Sequence, residues 1–159
     1  MVFVDYFSRF SWVYFLEHKS EAFSKFIQFK HAVEKEFELK IKCLRTNNGG
    51  EYLSNDFMEY SKEHGIQHQL TCPEIPQQNG VAERKLAHLT SICLTWLHAR
   101  SLPKELWVSA FQTACHVVNW LTPWPGTESS PFELIYHHKP NVSYFSYFWV
   151  YLLRSCTET

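Results

Sequence analysis

Hydrophobic and polar residues follow a different period in each part of the chain. Residues 2–16 are rich in aromatic and β-branched residues and are interrupted by polar residues near 5–9, a pattern that predicts a β-hairpin. Residues 20–37 repeat apolar side chains at spacings of about 3.6, which is the period of an amphipathic helix. The chain therefore opens with two antiparallel strands and a helix.

Short apolar segments alternate with turn sequences in the middle of the chain. Residues 41–45 predict a strand that ends at the turn 47–50, Asn-Asn-Gly-Gly, whose residues tolerate positive φ. Ser54 can cap a helix that ends at Gly65. Residues 66–70 then alternate with period two, which predicts one more strand.

A loop and two helices are predicted after the last strand. Residues 73–80 contain two prolines and a final glycine, and residues 81–100 then repeat apolar positions at steps of three and four. Pro103 fits the first turn of a further helix, whose apolar stripe runs to Leu121 before two prolines. Because strands and helices alternate, we expect an α/β domain with a mixed sheet covered by helices.

Composition and charge limit the classes of function. The 159 residues carry a formal net charge of −1, so the chain as a whole lacks the positive field that attracts nucleic acid, and any DNA contact must be local. Five scattered cysteines fit reduced thiols in an intracellular chain. No apolar stretch approaches the roughly 18 residues of a membrane span, and no secretory signal is evident, so we expect no membrane partner.

Two positions stand where catalytic groups gather in open α/β sheets. Asn47 directly follows a predicted strand, and Glu83 lies in the first turn of a predicted long helix. A glutamate in a first helical turn is also favoured by the helix dipole without any function. On local sequence alone, the helix dipole is therefore the favoured explanation for Glu83.

Four blocks of sequence carry a more specific signal: FSRFSWVYFLEHKSEAFSKF, IKCLRTNNGGEY, PQQNGVAERK and PFELIYHHKPNVSYF. Together they resemble the core of copia-type retrotransposon integrase, a retroviral-type integrase carried in a Pol polyprotein. The usual second block of that family contains Ser-Asp-Asn-Gly-Gly-Glu-Tyr. In the family, 35 residues separate the Asp of this block from the Glu of Val-Ala-Glu-Arg. Here 35 residues separate Asn47 from Glu83.

The resemblance implies a ribonuclease H-like fold and a specific activity. The reaction would be DNA integration by 3′-end processing and strand transfer, in which Mg²⁺ or Mn²⁺ held by three carboxylates assists phosphoryl transfer. It implies a catalytic, metal-binding role for Glu83, DNA as a partner, assembly into homo-oligomers and a nuclear location. The positions that match DNA-contacting parts of the family are Asn48, Gln77, Gln78, Asn79, Arg84 and Lys85.

The sequence departs from the family where the metal chemistry is concentrated. Asn47 offers a neutral carbonyl oxygen in place of an anionic carboxylate, so divalent cations should bind far less well. The family's first Asp and its central strand are expected upstream of Met1, and without that strand two strand edges stay unpaired and favour aggregation. Glu74, in the loop, should weaken contact with phosphate. We therefore expect a catalytically inactive remnant, a pseudoenzyme, with weak DNA binding and low solubility.

The same resemblance divides the chain into three segments. Residues 1–122 match the catalytic core without its first strand, residues 123–145 match the extension that follows the core, and residues 146–159 diverge as a frameshifted tail would. Two alternatives remain open. One is an active polynucleotidyl transferase whose missing strand is supplied from elsewhere, and the other is a non-catalytic module that binds integrase-like partners through the helix at 103–122.

Three other patterns have simpler interpretations. The series His64, His68 and Cys72 suggests zinc, but a glycine and an extended strand keep the three side chains from converging. Cys115 and His116 are neighbours on a helix and point in different directions, so we expect a core thiol and a surface imidazole. The many aromatic residues lack interleaved basic residues, which favours core packing over a stacking platform for bases.

Overall fold

The computed structural model describes residues 1–71, 80–121, 123 and 127–143. Most of the predicted loop and the whole predicted tail lie outside these residues. The chain forms two compact units. The first contains residues 1–2 and 14–84, and the second contains residues 3–13 and the chain from Lys85 onward.

The first unit is built on helix α1, Ala22–Phe37, which confirms the predicted amphipathic helix. A 3-10 turn at Lys19–Glu21 leads into it, and Glu38, in the left-handed conformation with φ 53°, ends it. Its buried face carries Phe26 and Phe29. Apolar spacing near the helical period therefore places one stripe of α1 in the core.

Two short parallel strands form the sheet of the first unit. Strand β3, Cys43–Thr46, pairs with strand β4, Gln67–Leu70, in a register that places Arg45 opposite Gln69. Helix α2, Asn55–Glu63, connects them. Both strands and the helix confirm the prediction, although each strand begins one or two residues later than expected.

Helix α2 begins and ends at the residues that the sequence indicates. Ser54 is its N-cap, and its Oγ accepts a hydrogen bond from the Phe57 amide at 3.4 Å. Gly65, at φ 66°, then supplies the left-handed residue that returns the chain toward β4. Phe57 is fully buried, and its ring stacks on Phe26 of α1 with 5.0 Å between centroids.

An ion pair is partly buried on the inner side of α1. Lys30 is 5% exposed, and its ammonium lies 2.9 Å from Glu34 Oε2. The other carboxylate oxygen accepts a hydrogen bond from the Ile41 amide at 2.9 Å. Burial alone would raise the pKa of Glu34, but the hydrogen bonds from Lys30 and Ile41, with the charge of Lys30, lower it overall. The pair fixes the chain between α1 and β3.

The predicted hairpin is present, with strands of only three residues, β1 (Val2–Val4) and β2 (Ser11–Val13). Asp5 organises the turn between them, because its Oδ2 accepts hydrogen bonds from the Ser8 amide and hydroxyl, both at 2.7 Å. Two aromatic residues at the tip, Tyr6 and Phe7, are largely exposed.

The second unit also contains one whole long helix and the part of another that begins at Lys85. Helix α3, Gly80–Ala99, confirms the prediction and buries Leu89, Cys93 and Leu97 at spacings of four. Helix α4, Trp107–Leu121, follows a 3-10 turn at Lys104–Leu106. The structure corrects the start of that helix, because Pro103 has an extended ψ of 140° and lies before the 3-10 turn.

The C-terminal part of α4 differs from its predicted apolar stripe. Leu121 is 47% exposed, whereas Asn119 is buried. The Asn119 amide accepts a hydrogen bond from the Ser11 amide at 3.0 Å and donates to the Ser11 carbonyl at 2.8 Å. The Cys115 thiol donates to the same carbonyl at 3.3 Å. Polar groups of β2 therefore select a polar side chain at a position that periodicity assigned to the surface.

A short helix that was not predicted, α5 (Pro131–Tyr136), packs on α4. Ser130 and Glu133 form a capping box at its start, with the Ser130 amide donating to Glu133 Oε2 at 2.7 Å. Phe132 packs against Trp120 of α4 with 4.6 Å between ring centroids. No helix in the described ranges is long and apolar enough to span a membrane.

The Glu34 carboxylate should make stability depend on pH. Its folded pKa is lowered, so its contribution is present above the unfolded pKa of about 4.3 and is lost as pH falls through the folded pKa. We expect Glu34→Gln to cost about 1–3 kcal/mol at pH 7 and much less at pH 3, measured by urea unfolding. Glu59→Gln, on the exposed face of α2, is the control. Equal losses for Glu34→Gln at both values of pH would contradict this role.

Candidate functional site

The turn after β3 presents Asn47 at the surface. Thr46, the last residue of β3, is buried, and its Oγ1 lies 2.8 Å from His68 Nε2 on β4. Burial lowers the pKa of His68, so the neutral ring is favoured beside the threonine. Asn47 then leaves the strand, and its Oδ1 accepts a hydrogen bond from the Gly49 amide at 3.2 Å. Asn48 is exposed next to it.

Gly49 lets a carboxylate fold back over this turn. A Cβ at Gly49 would lie 2.7 Å from Glu51 Oε1, which is closer than real Cβ atoms approach. The Gly49 amide therefore donates a hydrogen bond to Asn47 Oδ1, and the Glu51 carboxylate lies where a Cβ of residue 49 would be. Sequence reasoning missed Glu51, although a Gly-Gly-Glu sequence after a strand is a signal that a side chain needs room against the backbone.

The exposed face of β3 holds a positive charge next to the turn. Arg45 is exposed, and its Nε and Nη2 donate to Gln69 Oε1 at 3.3 and 2.9 Å. Arg45 lies one residue before the end of β3 at Thr46, and Asn47 directly follows the strand. Neither Arg45 nor Gln69 was among the residues predicted from sequence.

Glu83 and Arg84 lie in the first turn of α3, and both are exposed. Arg84 folds back toward the start of the helix, because a Cβ at Gly80 would lie 2.9 Å from Arg84 Nη1. This repeats the arrangement at Gly49 with the opposite charge. No hydrogen bond in the described part of the chain joins Glu83 to Asn47.

Lys85 differs in its surroundings from the other predicted site residues. It belongs to the second unit and is half-buried. Burial lowers the pKa of its ammonium, the Cys115 thiol acts against that shift, and the charge of Arg9 adds to it. Three further predicted positions, Gln77, Gln78 and Asn79, lie outside the described residues.

The groups around Asn47 do not fit a two-metal site of the three-carboxylate type. The amide of Asn47 is neutral, and its oxygen already accepts a hydrogen bond from Gly49. Hard divalent cations prefer several anionic oxygen ligands. Among the residues that the structure describes, no group of three His, Cys, Asp or Glu side chains could hold a metal ion.

The simpler interpretations of the His and Cys residues agree with the structure where it describes them. His64 Nδ1 lies 2.9 Å from the Tyr60 carbonyl, and His68 contacts Thr46, so these two members of the zinc series have separate partners. Cys72 lies outside the described residues. Cys115 is a buried thiol with its pKa raised by burial, and the neighbouring His116 is exposed, as predicted.

Comparison with known proteins gives one family. The integrase core domain family matches residues 1–76. The chain is 44% identical over 119 residues to the retrovirus-related Pol polyprotein from transposon TNT 1-94 of Nicotiana tabacum, covering 75% of this chain and 9% of that protein. It is 39% identical over 142 residues to the corresponding polyprotein from transposon RE1 of Arabidopsis thaliana, covering 89% of this chain and 10% of that protein. The chain therefore spans about a tenth of these relatives.

Solved integrases share the fold. The HTLV-2 integrase catalytic core domain in complex with magnesium, in its trimeric form, superposes with a TM-score of 0.63 at 23% identity, covering 84% of this chain and 82% of that chain. The simian T-cell lymphotropic virus intasome in complex with PP2A regulatory subunit B56 gamma gives 0.66 at 24% identity, covering 89% of this chain and 48% of that chain. These likenesses establish the ribonuclease H-like α/β fold.

Two glycine substitutions should separate side-chain crowding from backbone strain. At Gly49 a new Cβ meets only the flexible end of Glu51, whereas Gly65 has a φ of 66° that L residues rarely adopt. We expect Gly49→Ala to change the free energy of unfolding by less than about 0.5 kcal/mol and Gly65→Ala to lower it by about 1–2 kcal/mol. Urea unfolding measures both, and equal losses would contradict the described turn at Gly49.

Proposed function

The chain belongs to the retroviral-type integrase core family, and from that premise we propose that it is a catalytically inactive remnant of a copia-type retrotransposon integrase. In this proposal the chain keeps the family fold and a weak affinity for DNA but does not carry out strand transfer. The segment boundaries near 122 and 145, the nuclear location and the role of Glu83 as a former metal ligand belong to the same proposal.

The neutral side chain of Asn47 carries this proposal. In-line phosphoryl transfer by two divalent cations needs anionic ligands that offset the metal charge and hold both ions. Asn47 is separated from Glu83 by 35 residues and stands where a family carboxylate is expected, and its Oδ1 accepts a hydrogen bond in the turn. The loss of an anionic ligand that bridges the two cations would weaken the binding of both cations.

Weak DNA binding is supported by the charges near the turn. Arg84 and Asn48 are exposed, and Arg45 adds an exposed cation on β3. Contacts of this kind bind phosphates without reading the base sequence. The net charge of −1 limits the attraction to these local groups. The magnesium of the HTLV-2 core indicates which cation the intact site would have used, and Mn²⁺ is its usual substitute.

Restoring the carboxylate should restore metal affinity. We expect Asn47→Asp to bind Mn²⁺ at least about tenfold more tightly than the unchanged chain, because a third carboxylate joins those of Glu51 and Glu83 in the first unit. Calorimetric titration and Mn²⁺ electron paramagnetic resonance measure this without any requirement for activity.

The matched control is Asn48→Asp, which adds the same charge at the next exposed residue, outside the position where the family carboxylate is expected. It should leave Mn²⁺ affinity near that of the unchanged chain. Productive Mn²⁺ binding by the unchanged chain, together with joining of element-end DNA when the upstream strand is supplied, would instead establish the active-transferase alternative.

The exposed apolar residues of α4 favour a second candidate function, a module that binds integrase-like partners. Trp107 is 50% exposed and Leu121 is 47% exposed, and they stand at the two ends of the helix. Large apolar side chains that remain exposed on one element are typical of protein contact surfaces. The dimeric and trimeric forms of the HTLV-2 core show that relatives of this fold associate.

Co-purification with an intact core of the same family tests this module. We expect the unchanged chain to be retained by such a core and the double variant Trp107→Ser, Leu121→Ser to lose roughly tenfold in retention. Leu39→Ser changes another exposed apolar residue, in the first unit, and serves as the control. If the double variant and Leu39→Ser behave alike, α4 is not the contact surface.

A further inference from the structure

Arg45 is held in place by a neutral partner. Its guanidinium donates from Nε and Nη2 to the single oxygen Oε1 of Gln69, its partner across the β3–β4 ladder. A guanidinium has five N–H donors, so these two bonds leave the others available. The long side chain is thus ordered on the face of β3 before any ligand arrives, which reduces the entropy lost on binding.

The positive charge of Arg45 is not neutralised within the described part of the chain. The ion pair found there joins Lys30 to Glu34, and no carboxylate lies within salt-bridge distance of Arg45. Asn47, which directly follows the strand, is neutral, and Glu51 is turned onto Gly49. A fixed, exposed and unneutralised guanidinium with donors to spare is suited to a planar oxyanion, above all a phosphate group.

We propose that Arg45 is a phosphate-binding residue for the DNA backbone and that Gln69 is its positioning residue. The inference rests on the proposed DNA binding and names one residue, Arg45, that would contact a backbone phosphate. Asn47 takes part through its lack of charge, because an aspartate two residues after Arg45 in the chain would compete with phosphate for the guanidinium. The substitution that weakens metal binding therefore favours direct contact with phosphate.

Salt dependence of DNA binding by the full 159-residue chain tests this role. The probe is a fluorescent duplex of about 25 base pairs, titrated between 50 and 200 mM salt. Arg45→Ala should lower affinity roughly tenfold and reduce the slope of log affinity against log salt by about 0.9, the value of one phosphate contact. Arg45→Lys should keep the slope and lose part of the affinity, because the charge stays while the two-pronged geometry is lost.

Lys62→Ala is the matched control, since it removes one exposed positive charge from α2 of the same unit. It should leave both affinity and slope unchanged. Thermal unfolding of each variant should agree with the unchanged chain, because Arg45 and Lys62 are exposed and make no buried contact in the described structure.

Changes at Gln69 test the positioning role. Gln69→Ala should weaken affinity and keep the salt slope, because Arg45 loses its order but not its charge. Gln69→Glu should neutralise Arg45 through an ion pair and reduce both affinity and slope, as Arg45→Ala does. Adding Arg45→Ala to Gln69→Glu should then cause little further loss, which a merely structural role for Gln69 would not produce.

Competition by inorganic phosphate separates the sources of the ligand. Millimolar phosphate that displaces DNA at constant ionic strength from the unchanged chain, and not from Arg45→Ala, would support a phosphate contact at Arg45. Unchanged affinity and slope in Arg45→Ala would overturn this inference and leave the proposed function standing. A chain that binds no DNA at all at 50 mM salt would overturn both.

Discussion

Two parallel strands must be joined by a crossover connection. In the first unit, this crossover sets the positions of the side chains of β3 and β4 that lie near Asn47. Helix α2 makes the crossover from β3 to β4 and packs Phe57 against α1. The resulting register places Arg45 beside Gln69 and Thr46 close to His68. The turn at Asn47 starts from a fixed point because the last residue of β3 is bonded across the ladder.

Gly49 and Gly80 have the same physical role, because each leaves space for a charged side chain. At Gly49 the missing Cβ leaves space for the carboxylate of Glu51, and at Gly80 it leaves space for the guanidinium of Arg84. Each charged side chain lies against backbone instead of extending into solvent. The Asn-Gly-Gly-Glu and Asn-Gly-Val-Ala-Glu-Arg sequences thus place charges as well as turns.

In the proposed function, the chemistry of the site depends on the single change of an acid to an amide at Asn47. An amide of nearly the same size keeps the turn, since its oxygen still accepts the Gly49 amide hydrogen. The fold therefore tolerates the change while the ligand set for divalent cations loses an anion. Retention of fold with altered ligand preference is the expected result when a polar surface residue changes charge but not shape.

Local signals in the sequence determined most of the secondary structure. Apolar spacing identified α1 and α3, and Ser54 and Gly65 marked the ends of α2. A short segment before a glycine-rich turn identified β3, and period-two alternation identified β4. These features arise from neighbouring residues, so the sequence displays them directly. The spacing between Asn47 and Glu83 and their flanking motifs identified the family.

Contacts between distant segments decided the rest. Asn119 is buried because it bonds the backbone of Ser11, more than a hundred residues away, and periodicity had no access to that partner. Helix α5 depends on packing against Trp120, and Arg45 meets Gln69 only through the strand register. The sequence by itself thus determined most of the elements and the family of this protein. The partners of its polar side chains were decided by tertiary structure, because hydrogen bonds between segments depend on register and packing rather than on neighbouring residues.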